Sequence, residues 1–391
     1  MSENSNRISR IESIDALRGF AVFAILLVHC VEHFIFPVYP SQSPDWLATL
    51  DEVTSNIIFT LFAGKAYAIF ALLFGFTFYI QYTNQKRQGE DFGYRFLWRL
   101  VGLAILATIN AAFFPGGDIL LLYAIVGVVL FLARGLKDRV VLALAIIFLL
   151  QPVELYHYIA TLIRSCYTTP QYGVGEMYDK IAEVSKNGSL AEFLLTNITL
   201  GQKASFMWAV DAGRASQTAG LFLVGMLLGR RQKFTATHSN HIFWQKTLII
   251  STISYAVLYS LNNQIATEYT TYTKTIGVAV DMWQKLAFTL VLVASFLLAY
   301  NNPKVNRCLS KFVAYGKMSL TNYISQSIIG LLIFYPFGLY LSPYLGQTAS
   351  IIIAVLIFML QLNISKVWLK THKQGPFENI WRRWTRIRFI Q

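Results

Sequence analysis

The sequence predicts an all-α, polytopic membrane protein: a bundle of about ten transmembrane helices with both termini in the cytoplasm. Three observations predict it. Of 391 residues, 55% are hydrophobic and only 14% charged, where a soluble domain carries about 25% charged residues. Many apolar stretches are long enough to cross a bilayer. The connections between them alternate between basic and nearly base-free.

The stretches run over residues 16–37, 55–81, 97–114, 118–133, 140–158, 207–228, 243–262, 276–300, 319–337 and 348–369. The first is longer than a signal-peptide core and no small-residue cleavage site follows it, so it is expected to be retained. Ser13 is a candidate N-cap for it, and Asp15 suits its first turn. Pro115-Gly116-Gly117 is a turn signature joining the third stretch to the fourth. The whole of 1–391 reads as one transmembrane domain.

Basic residues mark every second connection, beginning with Arg7 and Arg10. They recur at Lys86, Arg87 and Arg95, at Arg134, Lys137 and Arg139, and at Arg230, Arg231 and Lys233. Lys304, Arg307, Lys311 and Lys317 follow, and the tail closes with Lys370, Lys373, Arg382, Arg383, Arg386 and Arg388. Residues 38–54 and 338–347 have none, and 263–275 only Lys274. The alternation places both ends in the cytoplasm. It also accounts for the net charge of +13 as topology signals facing anionic lipid, so no nucleic-acid partner is expected. Residues 159–206 are expected as an extracytoplasmic loop, a lid or a spacer, and 370–391 as a cytoplasmic tail with a short amphipathic helix. Cys30, Cys166 and Cys308 have no metal spacing. There is no P-loop, dinucleotide fingerprint or serine-hydrolase elbow.

Polar groups inside the apolar stretches carry the functional argument, because ionisable groups are costly in hydrocarbon. Arg18 and His29 lie eleven residues apart, about 1100° around a helix, so they share one face about 16 Å apart along the axis. Arg18 reads equally as a snorkelling anchor, and His29 as a histidine hydrogen-bonded to another helix. His29, Glu32 and His33 also fit H-x-x-E-H, a weak zinc candidate with only two histidines and no third ligand in view. Lys65 lies in the second stretch, either paired with Asp118 or lining an anion path. Asp118 is a candidate helix cap, with Asn110 one helix earlier and Tyr123 beyond it. Arg214 opens the sixth stretch and Asn322 and Gln326 lie in the ninth, where helix-packing hydrogen bonds would explain the last two.

Six segments together resemble the YeiB-like family of bacterial inner-membrane proteins, a domain of unknown function. They are IDALRGFAVFAILLVH, GKAYAIFALLFGF, GGDILLLYAIVG, GLFLVGMLLGR, GKMSLTNYISQS and QGPFENIWRR, in family order from near residue 11 to near residue 385. That family is similar to transmembrane acyltransferases, including acyltransferase family 3 and the glucosaminide N-acetyltransferases. The resemblance implies a bacterial inner-membrane location and acyl transfer, with acyl-CoA as donor and no metal. The acceptor it implies is an extracytoplasmic glycan or similar small molecule. Arg18 and His29 match a first-helix Arg–His pair of acyltransferase family 3, which implies His29 as catalytic base. YeiB-like proteins commonly have Asn where His29 stands and His where Asn110 stands. The reversal suggests that both positions face one cavity needing one imidazole.

Acyl transfer needs a base, an oxyanion stabiliser and a grip on the donor. His29 is the expected base, with Asp118 orienting its second nitrogen, and Lys65 or Asn322 meeting the oxyanion. Arg18 is expected at the CoA phosphates, joined by Arg382. Asn110, Tyr123, Arg214 and Gln326 are expected to line the site. A small-molecule transporter would use the same midplane polar groups, and a purely structural membrane partner is the third reading.

Overall fold

The computed structural model describes residues 11–40, 43–89, 92–116, 118–164, 166–267 and 270–385; Arg7, Arg10, Gly117, Arg386 and Arg388 lie outside the described residues. Among those residues the chain is helical, without strands. The first half holds α1 (Glu12–Glu32), α2 (Asp45–Phe62), α3 (Ala66–Lys86), α4 (Phe92–Phe113), α5 (Ile119–Val126), α6 (Val128–Ala133), α7 (Asp138–Leu149) and α8 (Pro152–Ile163). Next come α9 (Val174–Asn187), α10 (Leu190–Thr196), a π-helical turn (Asn197–Gly201), α11 (Gln202–Asp211) and α12 (Arg214–Arg230). The remainder is α13 (His238–Thr267), α14 (Thr271–Tyr300), α15 (Pro303–Leu309), α16 (Lys311–Lys317), α17 (Ser319–Phe334), α18 (Gln347–Thr371) and α19 (Pro376–Thr385).

Five segments are long and apolar enough to cross a membrane: α1, Asp45–Arg87, α4, Thr273–Tyr300 and α18. Counting the bent pair of α7 and α8 as one span brings the number to six, and Ile119–Ala133 and Ser319–Phe334 are shorter apolar pieces. Several of the expected stretches are interrupted. The second breaks at Ala63-Gly64-Lys65, between α2 and α3. The fifth bends by 51° between α7 and α8, where Pro152 disfavours a helical residue before it and Gln151 takes φ 59°. The sixth breaks at Gly213, whose φ of 67° leads into α12.

Small residues set how closely the central helices cross. A Cβ on Gly75 would stand 1.9 Å from the Phe222 carbonyl oxygen, and one on Gly225 1.9 Å from that of Leu72. Glycine at both positions therefore lets the α3 and α12 backbones touch, a contact that favours helix association in lipid. The core joins α1, α3, α4 and α12, and a second apolar cluster gathers the C-terminal half of α1 with α17 and α18. Outward faces are apolar as well. Ile249, Ile253 and Val257 on α13 are exposed, as are Ile352, Leu356 and Leu360 on α18. Rows of this kind suit a hydrocarbon surround and would be a liability in water.

Candidate functional site

A cavity of about 810 Å³ opens at the N-terminal end of α1, among α1, α3, α4, α5, α17 and α19. Among the described residues five cations line it, Arg18, Arg95, Arg99, Lys317 and Arg382, against one acid, Glu378. Arg18 and Arg99 are fixed by local structure. Arg18 is aimed by a 3.1 Å bond to Asp15, one turn back, and donates across to the Thr77 hydroxyl at 3.0 Å. The Arg99 guanidinium lies 3.5 Å over the Trp381 ring, whose indole N–H donates to the Arg99 carbonyl at 2.9 Å.

Helix α19 closes one side of this mouth. Trp384 stacks on Trp98 of α4 with ring centroids 4.6 Å apart, and each indole donates to the other residue's carbonyl at 3.2 Å. Glu378 accepts from the backbone N–H of Leu320 and Thr321 and from the Thr321 hydroxyl, at 2.7, 3.1 and 2.6 Å. The first N–H groups of a helix lack intrahelical acceptors and favour negative charge, so Glu378 caps α17 from another part of the chain. The amphipathic tail expected from sequence is thus part of the cavity wall.

The deep end is phenolic. Tyr67, Tyr123 and Tyr323 line it. Tyr123 donates to the Tyr67 carbonyl at 2.5 Å, Tyr67 donates to Gln217, and Gln217 donates to the Met282 carbonyl at 2.7 Å. Tyr323 donates to Asp118 at 2.6 Å. Asp118, buried, N-caps α5 by accepting from Leu120 N at 3.1 Å, and Asn110 donates to its other oxygen at 2.9 Å. An ionised carboxylate only accepts, and here three donors face it.

His29 stands behind this wall rather than in the cavity. Its ring centroid is 5.9 Å from that of Tyr323 and 4.5 Å from that of Phe114, and its Nδ1 is buried without a partner. Asp118 therefore does not orient His29; its oxygens are taken by Tyr323, Asn110 and Leu120. Asn110 bonds to Asp118 directly, whereas His29 only packs against the ring of Tyr323, which donates to the same carboxylate.

Other expected groups lie elsewhere. Lys65 does not meet Asp118: the break before α3 places its ammonium 3.2 Å from the Phe59 carbonyl oxygen. Asn322 and Gln326 face away from the cavity. Asn322 donates to the Tyr315 carbonyl at 3.0 Å and to Ser365 at 3.2 Å, and Gln326 donates to the Tyr315 hydroxyl at 2.8 Å. Arg214 lies over the Tyr67 ring at 4.8 Å, and over that of Trp208 at 4.0 Å. The weak zinc candidate gains no third ligand. His29 and His33 are 5.5 Å apart as ring centroids and His33 faces Glu32 at 3.5 Å. No group of three His, Cys, Asp or Glu suited to a metal occurs among the described residues.

The stretch 159–206 is largely helical and packs on α4 and α5. Gly116, two residues before Asp118, donates from its N–H to Asn197 at 3.3 Å and accepts from the Tyr178 hydroxyl at 3.4 Å. Burial pushes the Tyr178 phenol up to about 12; the Glu32 charge adds to the rise and the Arg214 charge opposes it. Tyr67, Tyr323, Arg99 and Glu378 were missed as site residues. The available signal was a phenol in an apolar helix, which needs a buried partner.

Two family models match. Residues 10–164 match "Heparan-alpha-glucosaminide N-acetyltransferase, catalytic" and residues 228–388 match "Protein of unknown function (DUF418)". Among relatives, the uncharacterized protein YxaH of Bacillus subtilis is 27% identical, covering 95% of this chain and 93% of its own. The uncharacterized protein YeiB of Escherichia coli is 24% identical, covering 95% of both chains. An uncharacterized 39.9 kDa protein in the amylase 3' region of Bacillus acidopullulyticus is 26% identical, covering 96% of this chain and 94% of its own. No solved structure matches. The resemblance to the YeiB-like family read from the six segments is borne out.

Proposed function

Starting from that kinship, we propose that this chain is a membrane-embedded acyltransferase. It moves an acyl group, acetyl in the first instance, from cytoplasmic acyl-CoA to a hydroxyl or amine of an extracytoplasmic glycan or similar small acceptor. The topology that goes with it has ten crossings, cytoplasmic termini and residence in a bacterial inner membrane, supported by the alternation of basic connections. One observation carries the reading: a cavity cationic at its mouth and phenolic at its blind end, with His29 just behind Tyr323. The model matched over residues 10–164 supports it, since that stretch holds Arg18, His29, Asn110, Asp118 and Tyr123.

The chemistry follows from these positions. Arg18, Arg99 and Arg382 take the CoA phosphates, for which guanidinium forks are suited. The thioester then lies at the three phenols. His29 removes the acceptor's proton as its oxygen or nitrogen bonds to the acyl carbon. The C–S bond breaks, and the departing sulfur takes up a proton to leave as CoA. Lys65 and Asn322 do not reach this cavity, so the oxyanion stabiliser in this reading is the Tyr323 O–H, which turns from Asp118 to the developing charge. Movement of the Tyr323 ring joins the donor cavity to His29.

The test is incubation of the purified protein with radiolabelled acetyl-CoA and a panel of glycan acceptors, with and without His29→Ala. Labelled acceptor and free CoA are expected from the unaltered chain, falling by about 10²–10⁴-fold in the variant. Absence of CoA binding, acyl transfer and CoA release would overturn the reading and turn attention to solute transport in reconstituted vesicles.

A further inference from the structure

On the side of the wall away from the cationic mouth, four polar features of α12 and its surroundings have no internal explanation. The first is Arg214. Its guanidinium rests on the rings of Tyr67 and Trp208, its Nε is buried without an acceptor, and it forms no ion pair among the described residues. A guanidinium held by aromatic faces keeps its N–H edge available to an anion. Second, Arg214 occupies the first position of α12, where the helix dipole already disfavours a cation. That helix start has Gly213 as N-cap and no side-chain cap, so its leading N–H groups add to the positive potential.

The third feature is Gln151, 1% exposed, with both amide atoms unpartnered. Its Oε1 lies 2.8 Å from where a Cβ on Gly213 would stand, so the amide abuts the start of α12. The fourth is Thr218, fully buried, whose hydroxyl also has no partner. It follows Arg214 by one turn on the same helix face. Buried polar atoms left without partners cost free energy, and several around one cation point to a missing ligand. Among the described residues no acid pairs with Arg214, Asp211 and Glu154 near the start of α12 included. Lys65 and His33 are both within Coulombic reach of Arg214 and add no negative charge. Glu32, also in that neighbourhood, faces His33. Asp281 is bonded to Lys285.

From this arrangement we infer that Arg214, Gln151, Thr218 and the start of α12 form a binding site for an anionic group on the acceptor. The group is a phosphate or carboxylate carried by a polyol or sugar. As a statement about an acceptor the inference rests on the acyl-transfer reading, but the anion site can be tested without it. Arg214 supplies the charge-assisted bonds, and Thr218 and Gln151 supply neutral donors.

The experiment measures binding of radiolabelled glycerol 3-phosphate and of glucuronate to the purified full-length protein, with glycerol and glucose as neutral competitors. CoA binding is measured in parallel. Saturable binding of at least one anionic probe is expected, unaffected by the neutral analogues. It should weaken at least tenfold in Arg214→Gln and stay within a few-fold in Arg214→Lys, with CoA binding unchanged. If Arg214→Gln fails to fold, Thr218→Val, which preserves volume, is expected to weaken the probe several-fold and decides instead. The inference is overturned if neither anion binds, if the neutral analogues compete equally, or if the deciding variant binds undiminished. Anion binding without CoA binding would sink the acyl-transfer reading and leave this site standing.

Discussion

Helix α17 carries two buried polar networks on adjacent residues, and they differ in what they border. Asn322 points into the packing of α16, α17 and α18. There Tyr315 donates to Gln361 at 2.8 Å, and Gln361 donates to the Asn322 carbonyl at 3.0 Å and to Ser325 at 2.8 Å. Tyr323, one residue on, turns about 100° around the helix to the opposite problem. It holds the buried carboxylate of Asp118 at the end of an open cavity, with the His29 ring, its Nδ1 unpartnered, beyond. The first network bonds α16, α17 and α18 to one another and borders no cavity, although Gln326 leaves its Oε1 unpartnered. The second has a cavity on one side and spare hydrogen-bonding capacity on the other. Chemistry is expected where uncommitted donors and acceptors border a cavity, not simply where polar residues are buried.

That contrast can be broken by substitution. The largest effect is expected from Tyr323→Phe, which removes the donor to Asp118 and the phenol at the cavity end. Acyl transfer per folded molecule should fall by about 10²-fold, as for loss of one oxyanion donor, with CoA binding retained. An unchanged rate would place catalysis elsewhere. Asn322→Ala should do the reverse. It is expected to lower the thermal unfolding midpoint in detergent by an amount corresponding to about 1–2 kcal/mol, while the surviving folded protein binds CoA normally. Loss of CoA binding in a stable Asn322→Ala protein would erase the distinction between the two faces. The smallest effect is expected from Gln326→Met. Gln326 is fully buried and its Oε1 has no partner, so replacing the amide by a similar apolar volume should shift stability by less than about 1 kcal/mol. A larger loss in the same melting assay would show that this network depends on the amide more than its geometry suggests.

Residue spacing made some of this legible in advance. The eleven-residue interval between Arg18 and His29 survives because α1 runs unbroken from Glu12 to Glu32, so the two do flank one axis. Asp118 was readable as a cap because an acid before ILLLY has few other uses. The separation of Asn322 from the site was not readable. Periodicity fixes which residues share a helix face but not which neighbour that face meets. The position of Lys65 escaped for another reason: hydropathy sums over a stretch and does not register a break three residues long. Gln151 and Gly213 were hidden in the same way, each at an interruption inside an apolar run. Tyr323 stood in a recognised segment, yet its role depends on Asp118, 205 residues away.

The reciprocal pairing of Trp98 with Trp384 and the Glu378 cap on α17 have a consequence for the order in which the chain is made. Every other wall segment of the cavity precedes α19 in sequence. On the ribosome, the remaining helices can be inserted and packed while that side is still open and the α17 N–H groups are still uncapped. The cavity is completed only when residues 376–385 emerge, so a chain interrupted upstream of Pro376 would have its helices in place but no closed mouth.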